Sequence, residues 1–245
     1  MLKVSAYLIP MALGLFLFSA PRGSATVGKT LEISEDNATL LDHIGDYSDL
    51  EVLSIRCIEN LRALPDSIGK LTRLKELRMD NDKECKMNPV LPKSIGHLHS
   101  LERLILFGAQ DTRNPGLQPM ERHKFPRGMS QLRNLVYLDL GRNGLDQIPV
   151  FVKDLPKLKE LRFEYNNLKE MPPFISNLSE LTTLVLNGND LNDLPDFLAT
   201  LPRLTQISIG RNCAITQNEA RMNNLKRRFP KVAFDFTDEY DCPEK

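Results

Sequence analysis

A 23-residue period constrains this 245-residue chain more than any other feature. Asn143, Asn166, Asn189 and Asn212 stand 23 apart, and so do Leu138, Leu161, Leu184 and Ile207. The unit reads most clearly from Leu158: L-x-x-L-x-L-x-x-N-x-L-x-x-(L/M/I)-P-x-x-(I/L/V)-x-x-L-x-x. Its x-x-L-x-L segment alternates, which predicts a short strand with one buried face. The asparagine that follows can turn the chain by bonding loop backbone groups. A proline recurs in Leu64-Pro65, Leu91-Pro92, Phe125-Pro126, Ile148-Pro149, Met171-Pro172 and Leu194-Pro195, so the return path is extended or short-helical. Ile175, Leu178 and Leu181 then point back into the same core. One unit cannot bury its own leucines. Stacked units can, with parallel strands ~4.8 Å apart and roughly 1.5–3 kcal/mol for each leucine buried.

The register extends upstream. Leu135, Leu138 and Leu140 match one strand, as do Leu101, Leu104 and Leu106; Leu74, Leu77 and Met79; and Leu50, Leu53 and Ile55. Leu31 and Ile33 read as a first, capping strand, with Leu40, Ile44 and Tyr47 on its return path. From about Leu31 to Asn212 the spacing resembles the typical 23-residue leucine-rich repeat, as in bacterial exported repeat proteins and plant intracellular Ras-group repeat proteins. The resemblance implies an α/β leucine-rich-repeat solenoid, curved and right-handed, with about eight strands in a parallel concave sheet. It also implies that the concave face binds another macromolecule. The pattern departs from the family early on: the asparagine position holds Ile58, Asp82 and Ala109. Leu77 to Leu104 spans 27 residues and Leu104 to Leu138 spans 34, so insertions fall at 81–88 and 108–124. Extra residues just after strands leave the stack as edge loops, a place where tolerated drift and binding determinants both occur.

The two ends differ from the middle. Residues 1–25 read as a signal peptide: Met1-Leu2-Lys3, an apolar run from Val4 to Phe18, then Gly23 and Ala25 as the −3 and −1 positions of cleavage. Cleavage at Ala20 is the other placement, and an uncleaved membrane anchor the other reading. N-terminal sequencing of the exported product separates them, since cleavage after Ala25 leaves Thr26 first. Residues 26–49 form an N-terminal cap and partial repeat, 50–212 the repeats, and 213–245 a C-terminal cap. In that cap Thr216-Gln217-Asn218-Glu219 is a capping box, which predicts a helix from about Gln217 to Arg228 with Met222, Leu225 and Phe229 on its apolar face. Pro230 ends it, and Val232, Phe234 and Phe236 alternate as a last strand. Four cysteines in an exported chain suggest two disulfides. Cys57 with Cys85 and Cys213 with Cys242 each join neighbours in the stack.

Little in the sequence suggests chemistry. Lys plus Arg and Asp plus Glu are 32 each, which excludes an electrostatic pull toward nucleic acid. Gly23 to Thr30 fits the spacing of a phosphate-binding loop, but such a loop needs a strand before it and a helix after it. Here the signal peptide precedes, and Leu31-Glu32-Ile33 is strand-like. His97 and His99 have no cysteine or carboxylate cluster beside them and read as surface residues. The Lys226-Arg227-Arg228 run reads as a solvated helix face. Asn37-Ala38-Thr39 and Asn177-Leu178-Ser179 are glycosylation sequons. The expectation is a non-catalytic, secreted, periplasmic or cell-surface module: no cofactor, no metal, no small-molecule substrate, a protein partner, and a monomeric state. A Ras-group-like intracellular scaffold is the alternative. The candidate contact residues project outward from the strands: Arg103, Ile105, Phe107, Tyr137, Asp139, Arg162 and Glu164. Exposed apolar and aromatic side chains with arginine nearby are what interface centres contain, although scattered surface apolars are also ordinary.

Overall fold

The computed structural model describes residues 29–58, 61–80, 89–108, 125–237 and 242. The signal-peptide reading, the 81–88 insertion with Cys85, and the 108–124 insertion beyond Gly108 fall outside them. Nine described strands form one parallel sheet in chain order: β1 Thr30–Ile33, β2 Val52–Arg56, β3 Glu76–Asp80, β4 Arg103–Phe107, β5 Tyr137–Asp139, β6 Glu160–Arg162, β7 Thr183–Val185, β8 Gln206–Ser208 and β9 Ala233–Asp235. The register follows the leucine period: Leu31, Leu53, Leu77, Leu104, Leu138, Leu161, Leu184, Ile207 and Phe234 stand side by side. The count exceeds the expected eight because the strand of the C-terminal cap pairs with β8 and continues the sheet. Lys29 pairs with Glu51 and Thr30 opens β1, so the phosphate-loop match ends at the start of a strand and not of a helix.

Behind the sheet each return path makes a short 3-10 turn that starts after the recurrent proline, for example Asp66–Lys70, Lys93–His97, Val150–Asp154 and Pro173–Asn177. The proline fixes an extended φ and ψ at the turn's N-cap, and the following backbone carbonyls close 3-10 bonds. One continuous core of leucine, isoleucine, methionine and phenylalanine runs between turns and sheet.

The turns are not spaced alike. In the first half, small residues let backbones touch: a Cβ on Gly69 would fall 2.6 Å from Ser94 Cβ, and one on Gly96 would fall 2.5 Å from the Gly128 carbonyl oxygen. In the second half, Phe151, Phe174 and Phe197 occupy the serine position of the turn and pack against the core instead.

The asparagine ladder lies on the edge where each strand ends. Asn143, Asn166, Asn189 and Asn212 are all buried. Asn166 donates from Nδ2 to the carbonyls of Leu140 at 2.9 Å and Phe163 at 3.1 Å, and its Oδ1 accepts from the backbone N–H of Leu145 at 2.9 Å and Asn143 at 3.1 Å. Asn189 and Asn212 repeat this pattern one rung on. Each asparagine therefore stitches its own repeat to the one before. Asn166→Ala leaves these groups unpaired in a dry edge and is expected to cost roughly 1–3 kcal/mol in urea unfolding. Asn167 is exposed and its side chain makes one bond among the described residues, to the Gly144 carbonyl, so Asn167→Ala should cost well under 1 kcal/mol. Equal losses would mean that the ladder does not carry the stitching.

The C-terminal cap begins with one helical turn, α1 Cys213–Thr216, followed by α2 Glu219–Arg228. The second helix starts two residues later than its capping-box signal predicts. Asn218 is its N-cap, accepting from the Arg221 N–H at 3.1 Å, while the Thr216 hydroxyl reaches back to the Asn212 carbonyl. Two side chains of good capping chemistry compete here. The one-turn helix that Asn212 sets up places Thr216 inside it and leaves the role to Asn218. Leu225 and Phe229 are buried by the cap, and Arg228 ties α2 to the last repeat through Asp193 and Asp196, both at 2.8 Å. Cys213 and Cys242 form a disulfide, as the sequence predicts. Cys57 is disulfide-bonded too; its expected partner, Cys85, lies outside the described residues.

Candidate functional site

The sheet presents three rows of side chains to solvent, one residue per strand in each row. The middle row runs Arg78, Ile105, Asp139, Arg162, Val185 and Ser208 across β3 to β8. Glu76, Arg103, Tyr137 and Glu160 stand before it, and Asp80 and Phe107 after it, with Gly141 and Glu164 next in register beyond β5 and β6. The seven candidate contact residues thus share one face, on three adjacent strands or directly after them.

Their exposure differs from the expectation. Phe107, Tyr137, Arg103 and Arg162 are half-buried, so part of each reaches solvent. Ile105 is only 3% exposed and Asp139 and Glu164 are 7% and 6% exposed. Ile105 points outward as its place in the strand requires, but the middle row sets Arg78 on one side of it and Asp139 on the other. A side chain flanked on both sides at ~4.8 Å has little room to meet solvent.

The arginines are also distributed differently from the sequence reading. Arg162 acts on Tyr137 through its charge but makes its close contacts with carboxylates. It is held by Glu164 at 2.7 Å, Glu160 at 3.4 Å and Asp139 at 3.7 Å. Burial opposes its charge, but Glu164, by charge and by hydrogen bond, raises its pKa further. Arg103 lies 3.9 Å from the centroid of Tyr137 and bonds Glu76 at 3.0 Å; Arg142 lies 5.6 Å from that of Phe107. Burial first, and Asp139 second, push the Tyr137 hydroxyl up to about 12, so it stays protonated and able to donate.

Asp139 and Glu164 share one guanidinium in a dry place. Burial, then the negative Glu164, push Asp139 up to about 7, against the opposing pull of the Gly141 N–H that donates to it at 2.9 Å. The second carboxylate oxygen of Glu164, Oε2, is buried without a hydrogen-bond partner. From β3 to the end of β6 this face carries five carboxyl groups (Glu76, Asp80, Asp139, Glu160, Glu164) against three guanidiniums (Arg78, Arg103, Arg162). The surplus is negative.

One further feature escaped the sequence reading. The residue before each ladder asparagine has a left-handed backbone: Arg142, Tyr165 and Arg211 at φ of 57°, 55° and 53°, and Gly188 at 64°. Gly108, at the equivalent place one rung earlier, is also at 64°. The glycines at two of five equivalent positions are the signal that was available. His97 and His99 lie exposed on the opposite, turn side, with ring centroids 6.4 Å apart.

Comparison with known proteins agrees with this architecture. Residues 133–191 match the family model for the leucine-rich repeat. Among solved structures, the chain is similar to a leucine-rich-repeat protein of Leptospira interrogans, with 29% identity over 74% of this chain and 48% of that one and a TM-score of 0.53. It is similar in fold to InlP of Listeria monocytogenes, with 24% identity over 74% and 49% of the two chains and a TM-score of 0.57. A third likeness is to the Drosophila Toll–Spatzle complex, with 18% identity over 75% and 23% of the chains and a TM-score of 0.56. The chain spans about half the length of the two bacterial structures it resembles. No curated protein matches it.

Proposed function

We propose that this chain, a leucine-rich-repeat solenoid, is an exported, non-catalytic module that binds a protein partner on its sheet face. The observation that carries the reading is the juxtaposition of half-buried Phe107 and Tyr137 on neighbouring rungs, each under an arginine, beside a carboxyl cluster with more negative than positive charge. Aromatic side chains already fixed by cation–π contacts lose little freedom when a partner covers them. The carboxyl surplus favours a partner whose contacting surface is basic, because a lysine or arginine brought against Glu160 and Asp139 relieves their competition for Arg162. Export is supported by the Cys213–Cys242 disulfide, a bond that persists in oxidising compartments and weighs against an intracellular scaffold.

The test begins with capture of partners from the host's extracellular milieu on the mature chain, followed by titration of the purified partner. Phe107→Ala or Tyr137→Ala should weaken binding by more than ~1 kcal/mol with the fold intact, since neither side chain is in the leucine core. Lys157→Ala and Lys169→Ala, on exposed return-path positions, should leave it unchanged. Loss of binding in the lysine variants alone would put the contact on the wrong face, and the reading would fail.

A further inference from the structure

We propose that the loop edge around Arg142 and Tyr165 is a second recognition site, for the carboxylate side chains of an acidic peptide segment of a partner. It is separate from the sheet face, although Phe107 borders both.

The first observation is backbone conformation. Each residue before a ladder asparagine is left-handed, and glycine supplies that φ at Gly188 and, one rung before the ladder, at Gly108. Arg142 and Tyr165 adopt the same φ with a Cβ, a conformation unfavourable by roughly 1–2 kcal/mol for an L-residue. Strain retained where glycine serves at neighbouring rungs points to a use for the side chain.

The second observation is how those side chains are arranged. The Arg142 guanidinium lies 4.5 Å from the Tyr165 centroid and 5.6 Å from that of Phe107. The Tyr165 ring in turn lies over Gly188, where an added Cβ would fall 2.5 Å from it. The result is a stack of alternating ring and guanidinium along the edge, resting on a residue without a side chain.

The third is charge. The arginines on the sheet strands, Arg56, Arg78, Arg103 and Arg162, all have carboxylates within 4 Å. Arg142 has none among the described residues, and its Nε is buried without a hydrogen-bond partner. A planar guanidinium fixed between two rings presents its remaining N–H groups as a preorganised fork, the geometry that matches a carboxylate in bidentate fashion. It opens on a groove of about 660 Å³ lined by Tyr165, Asn167, Gly188, Asn192 and Arg211, where side-chain amides can pair with a peptide backbone. Arg142 thus brings to this lining a guanidinium with no carboxylate within 4 Å among the described residues, unlike the arginines of the sheet face.

The left-handed backbone supplies a variant that removes the side chain without endangering the fold. Arg142→Gly is expected to be at least as stable as the parent in urea unfolding, because glycine suits this φ. The binding probe is hexaglutamate, titrated at low salt and followed by the amide NMR shifts of Gly188 and Asn167. The parent should bind it, Arg142→Gly should bind at least tenfold more weakly, and Arg142→Lys should fall between, keeping the charge but losing the fork. Lys153→Ala, which removes a positive charge from the exposed return path, should bind as the parent does. Absence of hexaglutamate binding to the parent overturns the proposal, as does equal binding by Arg142→Gly. Equal occupancy by inorganic phosphate at the same concentration also overturns it, since the groove would then read any anion.

Discussion

Gly96→Val should destabilise the protein by about 3 kcal/mol, and the loss should be centred on the third and fourth turns of the solenoid. The reason is that nothing soft lies in the way. A Cβ at Gly96 meets the Gly128 carbonyl oxygen at 2.5 Å, its carbonyl carbon at 2.8 Å and its Cα at 2.9 Å, all backbone. A side chain there fits only if two repeats separate, which opens the core between Ile95 and Met129, both fully buried. The matched control is Lys153→Val, at the equivalent place one turn residue after Val152. That position is exposed, and substitution there should change stability by no more than ~0.5 kcal/mol. Urea unfolding of both variants, followed by far-ultraviolet circular dichroism, makes the comparison. Similar midpoints would mean that the turns of the first half are not in backbone contact in solution.

The second large effect is electrostatic and depends on pH. Asp139 has a folded pKa near 7 against 3.8 for the free group, so folding disfavours its charged form. Well below pH 3.8 the group is protonated in both states and costs nothing. As pH rises from about 4 to about 7 the unfolded chain releases this proton while the folded chain retains it, so stability falls, by roughly 2–4 kcal/mol in all, and then levels off. Asp139→Asn removes the titration and keeps an oxygen to accept from the Gly141 N–H. The variant should therefore be more stable than the parent at pH 8, with little difference at pH 3. An unchanged slope between those two pH values would show that Asp139 is not the group responsible. A basic partner docking against this cluster should favour the ionised form, which couples binding to proton release.

Both effects arise from contacts between repeats, and this divides what was legible in the sequence from what was not. Within a repeat the information is local. Alternation with period two assigns Leu161 and Phe163 to the core, the next-but-two asparagine to the ladder, and the proline to the start of the return path. The 23-residue spacing then fixes the register between strands, because any slip would turn the leucines outward. Even the two departures from expectation at the C-terminus are small: a helix that starts at Glu219 because Asn218 outcompetes Thr216 as the cap, and a last strand that joins the sheet as its ninth.

The candidate site is different because its properties belong to neighbours 23 to 35 residues away in the chain. The strand pattern says that Ile105 points outward; only the stacking of Arg78 and Asp139 on either side decides that it is covered. Arginine near aromatic residues was readable, but which arginine sits on which ring was not. Arg103 takes Tyr137, Arg142 takes Phe107, and Arg162 is held by carboxylates instead. The shared burial of Asp139 and Glu164, and with it the raised pKa, exists only once β5 and β6 lie side by side. The sequence by itself determined the fold, the core and the ladder, because burial of a repeating leucine face admits one register. Tertiary structure alone decided exposure, pairing and charge on the candidate surfaces, because those depend on which long side chain reaches across ~4.8 Å to the next rung.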